Sequence, residues 1–430
     1  MKKFILKTQG CKSNQLESNV IKEKLIKLGF EETTDIVQAD YFILNSCSVT
    51  ENADIEAKRI IRHAKNTNHN LTTIFTGCSA QLNFDKLKQE NYADMILGND
   101  EKLKIEDYVL KRESKVDDIF ELKGFNNQLI HEYNNTRGYL KIQDGCNNYC
   151  SYCTIPYARG NSRSNSIENI LEQVKIYTDI GIKEVVLTGI HIGQWGTDFD
   201  NEQGLYNLLE KLEDTNIKRY RLGSLNTLEI SDELLNFLSK SDKFCPHFHI
   251  SLQSLCDKTL KAMNRKYNAQ SCIELIEKID EMFNLPFIGS DIIAGFPNEN
   301  DEDFTQTLEN VKKSKLTQIH VFPYSIRKNT VAANMPNQVD ENLKHLRAEL
   351  LKKEAKNKYY NFKNKNLGQV CEVLIEKRAD KKTGEIKGVT KNYLTVYLED
   401  KTKNLHNSIQ KVKITALNDK NGKIFGKLTM

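Results

Sequence analysis

Short apolar runs alternate with stretches of helical spacing from the first residues onward. Segments 4–7, 39–45, 72–76 and 93–97 read as strands, and 14–28 carries Leu16, Val20, Leu25 and Leu28 at helical spacing. A second helix is predicted over 52–65. Strands separated by helices imply a parallel sheet covered by helices. Residues 99–136 interrupt this rhythm and read as a charged connector. From Arg137 it resumes for six units, with strands at 137–143, 184–188, 220–223, 248–252, 288–294 and 318–323. Helices are predicted between them at 167–180, 204–212, 231–240, 268–282 and 301–315. Ser166, Ser231 and Asn300 stand where N-caps belong.

Six βα units predict a partial (β/α)6 barrel, with chemistry at the carboxyl ends of its strands. Residues 340–365 read as a long basic helix partly wrapping that barrel. Beyond Gly368 the pattern changes to short strands at 369–376, 388–390, 394–398 and 411–417, with Gly422 and Gly426 at turns. That pattern predicts a small β-barrel. The expected fold class is α/β in three parts: an open parallel-sheet, flavodoxin-like domain over 1–110, the partial barrel over 132–365, and the small β-barrel over 366–430.

Composition adds two constraints. No run of about 18 apolar residues exists, so no membrane helix is expected, and Met1–Lys7 is too short an apolar stretch for a signal peptide. Ten cysteines without an export signal suit a reducing cytoplasm and metal or redox use. Charge is uneven. The net charge is +4, yet residues 341–430 hold 21 Lys/Arg against 10 Asp/Glu, and 366–430 alone hold 13 against 7. A basic end on a mildly acidic body points to an anionic partner, nucleic acid above all. The alternative is a solvated lysine-rich tail, but its apolar–polar alternation argues for a folded module.

The cysteines carry the chemistry. Cys146, Cys150 and Cys153 follow the first barrel strand in a C-x3-C-x2-C spacing. Three thiolates on one loop suit an iron–sulfur cluster with one iron left open to a small molecule; a zinc knuckle with a distant fourth ligand is the alternative. Cys11, Cys47 and Cys78 each follow a strand of the N-terminal sheet, so parallel topology brings them to one crevice. The alternative there is three separately buried thiols.

The 146–153 loop resembles that of the radical S-adenosylmethionine (SAM) enzymes. Gly10-Cys11-Lys12-Ser13-Asn14-Gln15-Leu16-Glu17-Ser18, Asn45-Ser46-Cys47-Ser48-Val49-Thr50 and Thr76-Gly77-Cys78-Ser79-Ala80-Gln81 resemble the three cysteine motifs of the methylthiotransferases. Gly388-Val389-Thr390-Lys391-Asn392-Tyr393 resembles the central word of the TRAM domain, an RNA-binding module. The first of those motifs, together with 140–146 and Val321-Phe322-Pro323-Tyr324-Ser325, is most similar to the branch that acts on N6-threonylcarbamoyladenosine at tRNA position 37.

This resemblance implies two [4Fe–4S] clusters and SAM. Cys146, Cys150 and Cys153 would hold the catalytic cluster that cleaves SAM, and Cys11, Cys47 and Cys78 a second that delivers methylated sulfur. Tyr152, Thr188, Gly189, Ile293 and Gly295 match the family's SAM contacts, although each also suits ordinary packing or a turn. Arg159 and Arg163 match a family word that would touch phosphate or the SAM carboxylate. Trp195 would stack on a base or cover the barrel rim. The implied partners are the tRNA anticodon stem-loop and a low-potential electron donor of flavodoxin or ferredoxin type, for a cytoplasmic monomer away from membranes. Sibling branches act on isopentenyl-adenosine or a ribosomal-protein aspartate. An auxiliary cluster that only transfers electrons, or a non-catalytic RNA-binding protein, would use the same cysteines. Ser224-Leu225-Asn226-Thr227 departs from the usual Ser-x-Glu-Pro word, and Ser251 from a usual proline; both bear on substrate identity.

Overall fold

The computed structural model describes residues 1–199, 204–399 and 405–429. The N-terminal strands Lys3–Thr8, Tyr41–Ser46, Thr72–Gly77 and Met95–Leu97 form an all-parallel sheet, with Glu31–Glu32 as a short added edge. Tyr41–Ser46 and Thr72–Gly77 are buried throughout, as parallel strands covered on both faces must be. Helix Lys12–Lys27 packs Ile21 and Leu25 on one face. Glu51–Thr67 packs Ala57 and Ile61 on the other, beside Leu87 of helix Cys78–Gln89. That last helix escapes the sequence pattern because it has few apolar positions and bends at Asn83.

The connector is a correction. Residues 99–136 are packed: Lys102, Ile105, Val109 and Ile130 are buried, and Ile105–Val109 is a short helix. Its elements are too brief for periodicity to register.

The central region has the six expected units, as two parallel sheets. The third strand divides: Arg219–Arg221 pairs with Glu184–Thr188, whereas Ser224–Leu225 pairs with His247–Gln253. Between them lies Gly223, where an added Cβ would meet Leu187 O at 2.8 Å, so the chain passes its neighbour too closely for a side chain. Ser166, Ser231 and Asn300 cap their helices through the backbone N–H groups of Asn169, Leu234 and Asp303. Helix Glu341–Lys365 inserts Ala348 and Leu351 into the central core and Phe362 into the next.

The C-terminal strands Val370–Ile375, Lys387–Thr390, Thr395–Leu398, Ile409–Leu417 and Ile424–Leu428 close into a barrel around Val373, Val396, Val412 and Ile414. Gly422 lies in the expected turn (φ +67°). Gly426 does not. It sits inside the last strand, where a Cβ would lie 2.5 Å from Val412 Cγ1, so the small barrel's packing selects glycine.

This barrel seats on the amino ends of the central strands, and the 388–393 word makes the joint. Arg219 donates to Val389 O, and Arg221 donates to the Lys391 and Thr390 carbonyls. Asn392 donates to Leu285 O. Tyr393 packs on His247 (4.4 Å between centroids) and lies 4.9 Å beneath the Arg221 guanidinium.

Candidate functional site

Both sets of cysteines lie at carboxyl ends of strands. Cys11 caps helix Lys12–Lys27, Cys47 follows Tyr41–Ser46, and Cys78 opens its helix directly after Thr72–Gly77. These three strands are immediate neighbours, so the three loops converge. An added Cβ on Gly10 would lie 2.9 Å from Cys47 Sγ. Burial pushes the Cys47 thiol up to about 11, with the nearby Cys78 and Cys11 adding to it. Cys146, Cys150 and Cys153 line one loop. Burial raises Cys153 to about 12, again with its two companions contributing. All ten cysteines are unpaired. Among the described residues no three His, Cys, Asp or Glu side chains converge on one point as a single ion requires. A four-iron cube instead takes each thiolate at a separate corner.

Glycine shapes three of these approaches. Gly10, Gly77 and Gly145 directly precede Cys11, Cys78 and Cys146, with φ of +89°, +95° and +72°. Beyond that left-handed backbone, a Cβ on Gly77 would strike Ser46 O at 2.4 Å and one on Gly145 would strike Asn161 O at 1.9 Å. The loops are therefore held in a cradle that no side chain can share. Three soft thiols around such a cradle fit an iron–sulfur cluster at each site.

The two sites are tied together, loop by loop. Arg159, beyond Cys153 on the short helix Ile155–Arg159, reaches the Cys11 motif: its Nη1 donates to Glu17 Oε1 (2.7 Å) and its Nη2 to Asn14 Oδ1 (2.6 Å). Asn99 bridges Cys78 Sγ (3.8 Å) and Ala158 O (2.7 Å). Beside Cys47, Ser48 Oγ and Asp54 Oδ2 accept from Arg327 Nη2 (2.8 and 2.5 Å), and Thr154 Oγ1 donates to Ser48 O (3.4 Å).

Glu17 is the hub. It is 1% exposed, yet it meets Arg159, Lys102 Nζ (2.6 Å) and Lys141 Nζ (2.6 Å). Asp144 meets Lys141 (2.8 Å) and Arg159 (3.1 Å). Burial alone would raise both carboxyls. The surrounding cations, Arg159, Lys102 and Lys141 for Glu17, overcome it and hold both well below the ordinary carboxylate range. Sequence reading placed Arg159 on phosphate or SAM; it is 1% exposed and committed to this network.

Gln143 locks the loops around Cys146. Its amide donates to Gly145 O, and its carbonyl accepts from Ile190 N and His191 N. An added Cβ on Gly189 would meet Gln143 O at 2.8 Å. Thr188 is buried and pairs with Lys141. His191 Nδ1 stands 3.8 Å from Cys146 Sγ, with Nε2 against Glu229. Arg265 donates to Cys150 Sγ (3.2 Å), Ser251 O (2.5 Å) and Asn226 Oδ1 (3.3 Å). Two of the three positions that depart from the family words, Asn226 and Ser251, thus meet on Arg265 beside the Cys150 thiol.

Tyr152 and Ile293 come together on one apolar cluster with Met263, Phe296, Tyr324 and Ala332. Gly295 (φ +73°) is covered by Lys344, 2.4 Å from an added Cβ, and its N–H donates to Glu299. Trp195 is no base platform: it is fully buried against the central core, with Nε1 donating to Asn165 O. Glu17, Lys102, Lys141, Asn99, Gln143, Arg265 and Arg327 were missed as site residues. Only Glu17, Lys141 and Gln143 fell inside a motif, and nothing in spacing links them.

The Radical SAM superfamily pattern matches residues 140–311, and that of the Uncharacterized protein family UPF0004 matches residues 3–98. Threonylcarbamoyladenosine tRNA methylthiotransferase MtaB of Aquifex aeolicus (strain VF5) is 36% identical over 407 residues, 92% of this chain and 97% of that protein. The protein of that name from Bacillus subtilis (strain 168) is 34% identical over 426 residues, 95% of this chain and 92% of its own. The tRNA-2-methylthio-N(6)-dimethylallyladenosine synthase of Thermoanaerobacter sp. (strain X514) is 33% identical over 428 residues, 96% and 90%. Among solved structures, the radical SAM methyltransferase TsrM of Kitasatospora setae shares the fold, with a TM-score of 0.57 at 11% identity over 77% of this chain and 74% of its own. With relatives of this identity spanning nearly its whole length, the chain belongs to the radical SAM tRNA methylthiotransferases.

Proposed function

We propose that this enzyme converts N6-threonylcarbamoyladenosine at tRNA position 37 to its 2-methylthio derivative. In this reading Cys146, Cys150 and Cys153 hold a SAM-binding [4Fe–4S] cluster, and Cys11, Cys47 and Cys78 hold a second. When bound, these groups supply the one-electron chemistry needed to break an aromatic C–H bond and the sulfur that replaces the hydrogen. The observation that carries the two-site reading is the tie of each N-terminal cysteine loop to the Cys146–Cys153 neighbourhood, through Arg159, Asn99 and Arg327.

The chain's own residues have separable roles. Gln143 fixes the Gly145 and Gly189 turns relative to each other. Arg265 donates to the Cys150 sulfur and places positive charge beside that corner of the loop. Arg159 and Lys102 bring positive charge close to Cys78, in a region from which water is excluded. Tyr152, Thr188, Gly189, Ile293 and Gly295 are assigned to the SAM pocket; Tyr152 and Ile293 support it best, sharing one apolar wall beside the cysteine loop. The domains are assigned as 1–110 for the second cluster, 132–365 for radical chemistry and 366–430 for RNA. A flavodoxin- or ferredoxin-type donor in a reducing cytoplasm supplies electrons.

Mass spectrometry of tRNA from cells lacking the protein is the test. Loss of the 2-methylthio group from threonylcarbamoyladenosine is expected. Loss from dimethylallyladenosine instead would transfer the assignment to the sibling named among the relatives. A Cys47→Ala protein, reconstituted without air, should still cleave SAM and leave tRNA unmodified; full modification would sink the division of labour.

A further inference from the structure

The 388–393 word is used up in docking, so RNA needs another surface on the C-terminal barrel. Strand Ile409–Leu417 turns Val412 and Ile414 inward and exposes Lys411 and Lys413. Strand Ile424–Leu428 turns Ile424 and Gly426 inward, with Lys427 exposed and Phe425 half-buried on its outer side. In register, Lys413 stands directly across from Lys427. Like charges so opposed destabilise an antiparallel pair. Lys427 finds Glu399 at 3.2 Å, while Lys411 and Lys413 have no ion-pair partner among the described residues. Glu372, in register with Lys411, is taken by Lys391 at 3.3 Å.

The same outer face carries rings. Tyr397 is in register with Phe425, their centroids 6.1 Å apart, and Lys423 Nζ lies 4.4 Å over the Tyr397 ring. Lysines flanking aromatic faces on a small barrel are the combination that holds nucleic acid by backbone charge and stacking. We propose that Lys411, Lys413 and Lys427, with the Tyr397–Phe425 ledge, form the surface of this barrel that grips the tRNA phosphate backbone. The proposal rests on the tRNA-modifying reading and names the surface that serves it.

The test is fluorescence anisotropy of a tRNA that carries threonylcarbamoyladenosine at position 37 and lacks the 2-methylthio group, with the full chain over a range of KCl. For K411E/K413E, affinity at 0.15 M salt should fall at least tenfold, and the slope of log affinity against log salt should drop by about two, one for each lost phosphate contact. The milder K411Q/K413Q should show the same drop in slope with an unchanged melting temperature, which separates the effect from misfolding. K353E/K356E, on the exposed side of the long helix, should leave the slope within about half a unit of the parent. An unchanged slope in K411E/K413E would overturn the proposal, as would equal losses in both charge-reversed pairs, which would mean diffuse attraction. If the unaltered chain binds and modifies this tRNA and K411E/K413E does so equally well, only this surface is wrong. If the unaltered chain does neither, the tRNA reading fails and this surface with it.

Discussion

Arg159 and Glu17 lie 142 residues apart and form a two-pronged buried pair, Nη1 to Oε1 at 2.7 Å and Nη2 to Oε2 at 3.1 Å. It joins the helix after Cys153 to the helix that starts beside Cys11. Replacing Glu17 by glutamine keeps the shape and removes the charge, leaving Arg159, Lys102 and Lys141 buried around a neutral amide. Breaking a buried pair in this way costs about 3–5 kcal/mol. Denaturant unfolding of Glu17→Gln should show that loss, and a change under about 1 kcal/mol would contradict it.

The same carboxyls set an acid limit. Glu17 and Asp144 are held below the ordinary range in the folded chain, so they contribute stability above their unfolded pKa values of roughly 4. That contribution is lost progressively as pH falls below about 4 toward the folded values. Melting followed from pH 6 to pH 2 should fall steeply in this window. In Glu17→Gln the acid slope should be shallower.

Cys47 and Cys153 should be slow nucleophiles in the metal-free chain. Their thiols are raised to about 11 and about 12, so at pH 8 the thiolate fraction is on the order of a hundredfold or more below that of an ordinary thiol. Timed alkylation read by peptide mass spectrometry should show this lag, shrinking as pH rises. Reaction as fast as a small-molecule thiol would disprove it.

Gly10→Ala should empty one site and spare the other. The added Cβ falls 2.9 Å from Cys47 Sγ on a left-handed backbone. Anaerobic reconstitution of the parent should give about eight irons per chain, and the variant about four. SAM cleavage should persist while methylthiolation is lost.

Arg327→Ala should uncouple the sites. The guanidinium joins Ser48 and Asp54, beside Cys47, to the barrel that carries Cys153. The expected outcome is a fall of about tenfold or more in modified tRNA per 5′-deoxyadenosine released, about 1.4 kcal/mol in coupling. Equal loss of both products would point to general unfolding instead.

What the sequence discloses follows from how far its signals reach. Strand–helix alternation is local, so the parallel sheet and the six barrel units were legible, and the strand ends that carry Cys11, Cys47 and Cys78 followed from topology. The division of the third barrel strand was not, because it depends on Gly223 meeting Leu187 O from a different strand. The network of Glu17, Lys102, Lys141 and Arg159 was invisible for the same reason: its members come from the first helix, the connector, the first barrel strand and the post-cysteine helix. Read singly, Glu17, Lys102 and Lys141 carry no spacing signal, and Arg159 reads as a phosphate or SAM contact. Trp195 misled because a lone tryptophan in a glycine-rich loop resembles a binding residue, whereas here Asn165 O satisfies its indole inside the core.

The left-handed glycines ahead of Cys11, Cys78 and Cys146 carry a consequence for how the chain tolerates change. A descendant could keep all six thiols and still lose one site through alanine at Gly10 or Gly77, and the other through alanine at Gly145, three positions that bear no thiol. An inventory of metal-binding side chains would score such a descendant as intact. Inheritance of this chemistry is therefore guarded as much by three missing methyl groups as by the sulfurs they precede.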